Sequence, residues 1–275
     1  MKKSIIWLAS YPKSGNTWMR VFLTNYLVNA DKPVALSDVH RFGLGDSIPK
    51  MYRMVAGGDV DIHNIPLTMS LRDRVLRGVV NNNADVNFIK THNQRSEFMG
   101  VPLVPDTYTR SAIYIMRNPL DCVLSYAKHF NISLELATEA LCRSDTVTAP
   151  EESSIAQFLG SWSDHVRSWT GFAGYPITVI KYENMLAEPE AEFSKALKMI
   201  GVPIEDERLK KAIRFSSFKE LSKQEDKQGF KEKPANSEKF FRSGTSGNWK
   251  TELPEELRDK LISTHKELMT RYGYL

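Results

Sequence analysis

The sequence predicts an α/β fold: a single domain with a central parallel β-sheet flanked by helices. Three observations predict it. Four apolar runs of strand length recur at residues 5–9, 86–89, 112–116 and 177–180, segments with helical spacing fall between them, and two of the runs lead through short turns into helices. One domain is assigned to residues 1–275, a length sufficient for a sizeable core at 41% hydrophobic content. Ligands of such sheets bind beyond the carboxyl ends of the strands, so motifs at those ends carry the functional reading.

The first run, Ile5-Ile6-Trp7-Leu8-Ala9, follows Lys2 and Lys3 as the apolar part of a secretory signal would. Pro12 and Lys13 cut it too short for one, and it reads as a buried strand. Residues 17–29 carry an amphipathic helical pattern through Met19, Val21, Phe22, Tyr26 and Leu27. Residues 37–66, with four glycines and scattered aspartates, and residues 223–248, rich in Lys, Glu, Gln, Ser and Gly, read as long surface loops of the kind that serve as lids or binding loops. Between them, residues 153–169 show the clearest helical stripe, Ile155, Phe158, Leu159, Trp162, Val166 and Trp169, expected to face the core. Residues 254–271, with Leu257, Leu261 and Leu268, read as a closing amphipathic helix.

Composition narrows the classes of partner. The net charge of +4 is small for 275 residues, and no Lys/Arg run interleaved with aromatics marks a nucleic-acid stripe. No apolar run approaches the roughly 18–20 residues of a membrane span. Cys122 and Cys142 lie in separate segments without metal-ligand spacing, so neither a disulfide framework nor a zinc site is expected, and a reducing cytoplasm fits. A small anionic ligand remains compatible with this charge, neither nucleic acid nor membrane is expected as a partner, and the oligomeric state is open.

Directly after the first strand stands Ser10-Tyr11-Pro12-Lys13-Ser14-Gly15-Asn16-Thr17-Trp18. A strand, tight loop and helix in this order turn backbone N–H groups and the positive end of a helix dipole toward one point, which suits phosphate or sulfate. Lys13 adds a charge, Ser14 and Thr17 add hydroxyls, and Gly15 lets the backbone approach an oxyanion. The pattern is not Walker A, because the lysine precedes the glycine and the two spaced glycines before Lys-Ser/Thr are missing. After the strand at 112–116 comes Arg117-Asn118-Pro119, followed by Ser125 two turns into the next helix, so that Arg117 and Ser125 can meet one anion. A third segment, Phe240-Phe241-Arg242-Ser243-Gly244-Thr245-Ser246-Gly247-Asn248-Trp249-Lys250, ends the second long loop with glycines that permit an anion-binding turn. Of the six histidines only His92, in Lys90-Thr91-His92 at the end of a predicted strand, shares that edge with both loops.

These segments resemble the cytosolic-type sulfotransferase family, whose 5′-phosphosulfate loop reads Tyr-Pro-Lys-Ser-Gly-Thr-Thr-Trp; here Asn16 replaces the first threonine and keeps a side-chain donor. The matches fall in five places between Ser10 and Lys250, in the family's order. The resemblance implies a P-loop-like sulfotransferase fold and the cofactor 3′-phosphoadenosine 5′-phosphosulfate (PAPS), released as adenosine 3′,5′-bisphosphate (PAP). It also implies sulfuryl transfer to a hydroxyl or amine of a small acceptor. Lys13, Ser14, Gly15, Asn16 and Thr17 would hold the 5′-phosphosulfate, with Trp18 near the adenine. Arg117 and Ser125 would hold the 3′-phosphate, under a clamp of Arg242, Ser243 and Gly244. Ser243 stands where the family usually has lysine, and Asn248 where it has aspartate. Tyr182 and the Ser216-Ser217-Phe218 stretch match segments near the base and its ribose phosphate. His92 would be the general base, Lys13 and then Lys90 the candidates to stabilise the leaving group, and Ser125 would also restrain Lys13 before the acceptor arrives. No metal is expected, since no aspartate pair or histidine cluster suggests one. Two other readings share these features: a P-loop small-molecule kinase, and a non-catalytic protein that binds adenosine bisphosphate.

Overall fold

The computed structural model describes residues 2–230, 232–233, 239–241 and 244–275, the side chains of Arg41 and Phe42 excepted. In chain order the elements are β1 (Ile5–Ser10), α1 (Asn16–Val28), a 3₁₀ helix (Leu36–Phe42), β2 (Leu44–Gly45), α2 (Pro49–Ala56), α3 (Ile65–Val80) and β3 (Asn87–Thr91). A short hairpin of β4 (Glu97–Phe98) and β5 (Val101–Pro102) leads to β6 (Thr109–Met116), α4 (Pro119–Phe130), α5 (Leu134–Cys142), α6 (Trp162–Thr170) and β7 (Ile177–Lys181). The remainder is helical: α7 (Tyr182–Ala187), α8 (Pro189–Ile200), α9 (Asp206–Phe215), α10 (Phe218–Gln228), α11 (Trp249–Glu252) and α12 (Glu255–Arg271).

Five strands form one sheet in the order β2-β3-β1-β6-β7, every pairing parallel. β1 lies at its centre and every residue of it is buried. Its alternation divides the core: Ile5, Trp7 and Ala9 face one side with Tyr114, Trp162 and Trp169, while Ile6 and Leu8 face the other with Phe22, Ile180 and Phe193. Both faces are covered by helices, as a parallel sheet requires.

The predicted strands at 5–9, 86–89, 112–116 and 177–180 correspond to β1, β3, β6 and β7, and the predicted first and closing helices to α1 and α12. Three expectations are corrected. Residues 153–169 are not one helix: α6 begins at Trp162, capped by Ser161 accepting from the Asp164 N–H. Before it the chain is extended, and its backbone bonds elsewhere: Ile155 N–H donates to Ser47 O, Gln94 N–H to Phe158 O, and Thr148 N–H to Gln157 O. Gly160, at φ 62°, makes the turn between the two parts. The apolar spacing there serves two segments that pack on the same core.

The 37–66 stretch is likewise not one loop. It holds β2 and α2, and its Asp46 is the centre of a buried network that accepts from Arg72 Nη2 at 2.6 Å, Thr91 Oγ1 at 2.8 Å and Asn93 Nδ2 at 3.0 Å. That network fixes the end of β3 to the sheet edge. The 223–248 stretch begins as α10, capped by Ser217, and the described part beyond it includes the single turn before α11. Among the described residues no helix is long and apolar enough to cross a membrane.

Candidate active site

A cleft of about 1150 Å³ opens at the carboxyl ends of the strands, where Lys13, Lys90, His92, Arg117, Ser125 and Tyr182 all reach its wall. The strand order explains the convergence. β1, β3 and β6 are adjacent, so the loops after them meet above the sheet.

The loop after β1 turns at Lys13, whose backbone is left-handed at φ 71°, and at Gly15, φ 102°. A Cβ at Gly15 would lie 2.7 Å from the Tyr182 ring, so glycine is required by the approach of β7's side of the cleft as well as by the backbone. Gly15, Asn16, Thr17 and Trp18 line the cleft. Ser14 does not: its hydroxyl is buried behind the loop, beside the Cys122 thiol. The Asn16 side chain also turns away, its Nδ2 donating to Leu8 O at 2.8 Å and to Ser10 Oγ at 3.3 Å, so its amide braces the loop against β1 and does not offer a free donor. Beneath the loop, Cys122 Sγ–H donates to Pro12 O at 3.1 Å, and burial pushes the thiol up to about 12.

Lys13 Nζ stands 4.1 Å above the Phe240 ring and 3.3 Å from His129 Nδ1. Its head group is therefore with His129 and Phe240, not with Ser125, which lines the cleft from the next helix. Burial, and then the like charge of Lys90, lower Lys13 to about 7. Lys90, at the end of β3, is lowered by burial, against the attraction of Glu232 at 3.7 Å.

His92 follows β3 directly. Its Nδ1–H donates to Ser10 O at 2.8 Å, which fixes the neutral tautomer and leaves Nε2 as an acceptor. Burial, and then the positive charge of Lys90, hold the imidazole well below its usual titration range. Its own carbonyl accepts from His165 Nε2 at 3.0 Å, and His165 Nδ1 accepts from Tyr114 OH at 3.0 Å. Next to it, Trp169 Nε1–H donates to Asn93 O at 3.0 Å. The strand end carrying His92 is thus held from the core side.

Arg117, at the end of β6, donates from Nη1 to Lys13 O at 3.1 Å and from Nη2 to Thr245 O at 3.2 Å, and its guanidinium lies 4.3 Å from the Tyr182 ring centroid. Its Nε is buried without a partner among the described residues. The helix that follows starts as Pro119 predicts, with Asn118 Oδ1 accepting from the Leu120 N–H. Tyr182 meets Trp18 edge-on at 5.8 Å, and the Trp18 indole N–H has no partner among the described residues. Phe218 lines the same end of the cleft, with Gly244 pressed against it so closely that a Cβ would lie 2.4 Å from the ring. Ser216 is not brought there. It is fully buried, its hydroxyl donates to Ala212 O at 2.8 Å, and Ser217 takes the position on the cleft wall. Arg242 and Ser243 lie outside the described residues.

Sequence reasoning missed the acids that hold these parts together. Asp121 accepts from Gly247 N–H at 2.7 Å and Trp249 N–H at 3.1 Å, tying the third segment to α4. Glu183 accepts from Asn118 N–H at 2.9 Å, and Glu225 from the N–H groups of Phe240 and Phe241 at 2.6 and 2.9 Å. Asp121 in the first turn after Arg-Asn-Pro was the one visible signal, as an acid at a helix N-terminus. Glu232 was also missed. Its carboxylate accepts from Arg20 Nη1 at 2.7 Å and Thr17 Oγ1 at 3.3 Å. Burial would raise it, but Lys90 and Arg20 outweigh that and hold it below the usual carboxylate range. Among the described residues no group of three His, Cys, Asp or Glu side chains is arranged to hold a metal.

Comparison with known proteins identifies the family. The chain is 25% identical over 278 residues to sulfotransferase 1B1 of the dog, covering 96% of this chain and 82% of the relative. It is 27% identical over 268 residues to mouse sulfotransferase 1 family member D1, covering 90% and 77%. Among solved structures it superposes on mouse sulfotransferase SULT7A1 complexed with PAP at a TM-score of 0.63 and 21% identity, covering 98% of this chain and 84% of that one. Retinol dehydratase in complex with androsterone and inactive cofactor PAP gives 0.68 at 15% identity, covering 98% and 81%. Both likenesses speak to the fold. The model of the sulfotransferase domain matches residues 3–273, and a match over nearly the whole length means that the chain belongs to the sulfotransferase-domain family.

Proposed function

We propose that this protein transfers the sulfuryl group of PAPS to a hydroxyl or amine of a small acceptor, with His92 as the general base. The observation that carries the reading is the fixed tautomer of His92: with Nδ1–H on Ser10 O, Nε2 is left as an acceptor on a side chain that lines the cleft, at the same strand edge as Lys13, Lys90 and Arg117.

The nucleotide fits the residues present. The orphaned Nε of Arg117 and indole N–H of Trp18 are buried donors that need a partner. When bound, PAPS supplies an activated sulfuryl group on a phosphate. The N–H groups of the first loop and Thr17 hold its 5′ end, Arg117 and Ser125 its 3′-phosphate, and Tyr182, Trp18 and Phe218 give apolar surface for the base. Arg242, Ser243 and Gly244 complete the 3′ clamp in this proposal, while Asn16 braces the loop through its interior.

His92 Nε2 takes the proton from the acceptor's hydroxyl or amine as that atom attacks. Its low proton affinity keeps it neutral and ready at neutral pH. Lys13 answers the negative charge that grows on the leaving oxygen, with Lys90 second. A buried ammonium is worth most where charge develops, because little water screens it. The small-molecule acceptor and a cytoplasmic setting, which suits the two free thiols, belong to the same proposal.

The test is transfer of labelled sulfate from PAPS across a panel of phenols, alcohols, sugars and amines, with calorimetric titration of PAP beside it. Transfer to at least one acceptor together with PAP binding is expected. Magnesium-dependent turnover of ATP without sulfate transfer would overturn the reading in favour of a kinase, and PAP binding without transfer would favour a sensor.

A further inference from the structure

Arg20 belongs to the cleft wall but to neither proposed nucleotide subsite. It sits on α1, three residues beyond Thr17, and only 2% of it is exposed. Its side chain passes beneath Gly43, where a Cβ would come within 2.8 Å of Nε, so a larger residue at 43 would displace the guanidinium. One arm of the fork, Nη1, donates to Glu232 at 2.7 Å, while Nε is buried without a partner among the described residues. A buried guanidinium in this state calls for an acid with two oxygens.

The acid it has comes from far along the chain. Glu232 brings one carboxylate to Arg20, to Thr17 Oγ1 at 3.3 Å and to within 3.7 Å of Lys90 Nζ. The position lies on the His92 side of the cleft. Lys90 lies in β3 next to its last residue, Thr91, and Gly43, Gly45 and Ser47 lie in or beside β2 beyond it, whereas Arg117 follows β6 on the other side of β1. The two anionic ends of the nucleotide already have the N–H groups of the first loop and Arg117; Thr17, which bonds the same Glu232 carboxylate, borders the 5′ end, and Arg20, one helical turn further along α1, is left to the acceptor.

We propose that Arg20, with Lys90, forms a subsite for a carboxylate carried by the acceptor, and that Glu232 occupies it as an internal stand-in until such an acceptor arrives. The proposal rests on the sulfotransferase reading above and names its acceptor class: a hydroxyl or amine for His92, borne on a molecule with a carboxylate at a distance. An acceptor presenting an ammonium there instead would meet Arg20 and Lys90. The incoming carboxylate takes over the bond to Arg20 Nη1 and reaches the unmet Nε, and Glu232 withdraws to solvent with its charge.

Calorimetry on the full chain saturated with PAP tests this with two probes of nearly the same shape, 4-hydroxyphenylacetate and 4-hydroxyphenylacetamide, which differ in charge and in one acceptor oxygen replaced by an NH2 group. In Glu232→Gln, whose stand-in has lost its charge, the acid should bind on the order of 10- to 100-fold tighter than the amide, as charge-assisted hydrogen bonds allow. It should also bind tighter than it does to the unaltered chain, while the affinity of the amide does not follow. Arg20→Lys, which keeps the charge but loses the fork, should reduce the acid's advantage; Glu232→Gln keeps the test decisive if that variant folds poorly. Equal affinities for the two probes in Glu232→Gln, an acid that binds less well than before, or binding of neither probe overturns the proposal. Failure to bind PAP at all falls instead on the sulfotransferase reading, whereas PAP binding and sulfate transfer without a preference for the acid falls on this subsite alone.

Discussion

The nucleotide wall of the cleft grows from the ends of two central strands, β1 and β6, and its groups lie within a few residues of backbone that the sheet fixes: Lys13 to Thr17 after one, Arg117 after the other. The facing wall is assembled from the sheet edge, through β2, the extended stretch before α6, and Glu232, brought together across long stretches of sequence by main-chain bonds such as Ile155 N–H to Ser47 O and by the side-chain bonds of Asp46 and Glu232. The first wall stands on short loops that continue two central strands, braced locally by Asn16, Cys122 and Arg117, while the second depends on contacts between segments distant in sequence, among them the buried ion pairs of Asp46 and Glu232. Substitutions in the first should therefore change nucleotide binding with little effect on folding, and substitutions in the second should change transfer or stability with little effect on nucleotide binding.

The largest expected effect is on transfer. His92→Ala should lower kcat by about 10²- to 10⁴-fold, the range of a lost general base, while PAP titrates as in the unaltered chain. Activity retained within a tenth would remove the histidine from the chemistry, and a parallel loss of PAP binding would erase the division between the walls. Asp46→Asn comes next, read by urea denaturation. It leaves Arg72, 1% exposed, without its counter-charge, and breaking such a buried pair costs about 3–5 kcal/mol. A change below 1 kcal/mol, which is about the value of an exposed pair, would mean that water reaches the network.

Arg117→Ala tests the other wall. PAP affinity should fall about 10- to 100-fold, the value of one charge-assisted contact, and the preference for PAPS over adenosine 5′-phosphosulfate, which lacks the 3′-phosphate, should narrow. An unchanged ratio would move the 3′-phosphate elsewhere. The smallest effect is on pH dependence. Lys13 has its proton affinity lowered to about 7, so in the free protein its cation is present below that pH and is lost as pH rises through it. The kcat/KM for PAPS should fall above pH 7, by at most roughly tenfold per pH unit, whereas kcat should not, because a bound anion restores the proton. Parallel profiles would indicate that Lys13 stays charged without the nucleotide.

The same division explains what the sequence made legible. The strand–loop–helix at 10–18 and the Arg-Asn-Pro start of α4 are contiguous, and a short chain with those residues has few ways to direct its N–H groups. His92 was legible through its neighbours Lys90 and Thr91. Nothing in residues 37–66 announced that Asp46 would meet Arg72, Thr91 and Asn93, since that network exists only once three elements pack. Ile155, Phe158 and Leu159 have helical spacing yet stand in extended chain, because Gly160 and the Ser161 cap begin the helix later. Ser216 and Ser217 are adjacent and chemically alike, and only the end of α9 decides which of them faces the cleft.

The thiol under the first loop has a consequence for the protein's chemical durability. Cys122 is wholly enclosed, donates to Pro12 O and is neutral at any pH the protein experiences in a cell, whereas oxidants and alkylating agents attack thiolates that they can reach. The nucleotide loop therefore rests on a sulfur that peroxide does not modify while the protein is folded. Cys142, half-buried at the end of α5, is the more accessible of the two. A maleimide should mark each folded molecule once, at Cys142, and a second label should appear only at the rate at which the sheet opens, so that counting labels by mass reports the unfolding of the native chain without any substitution.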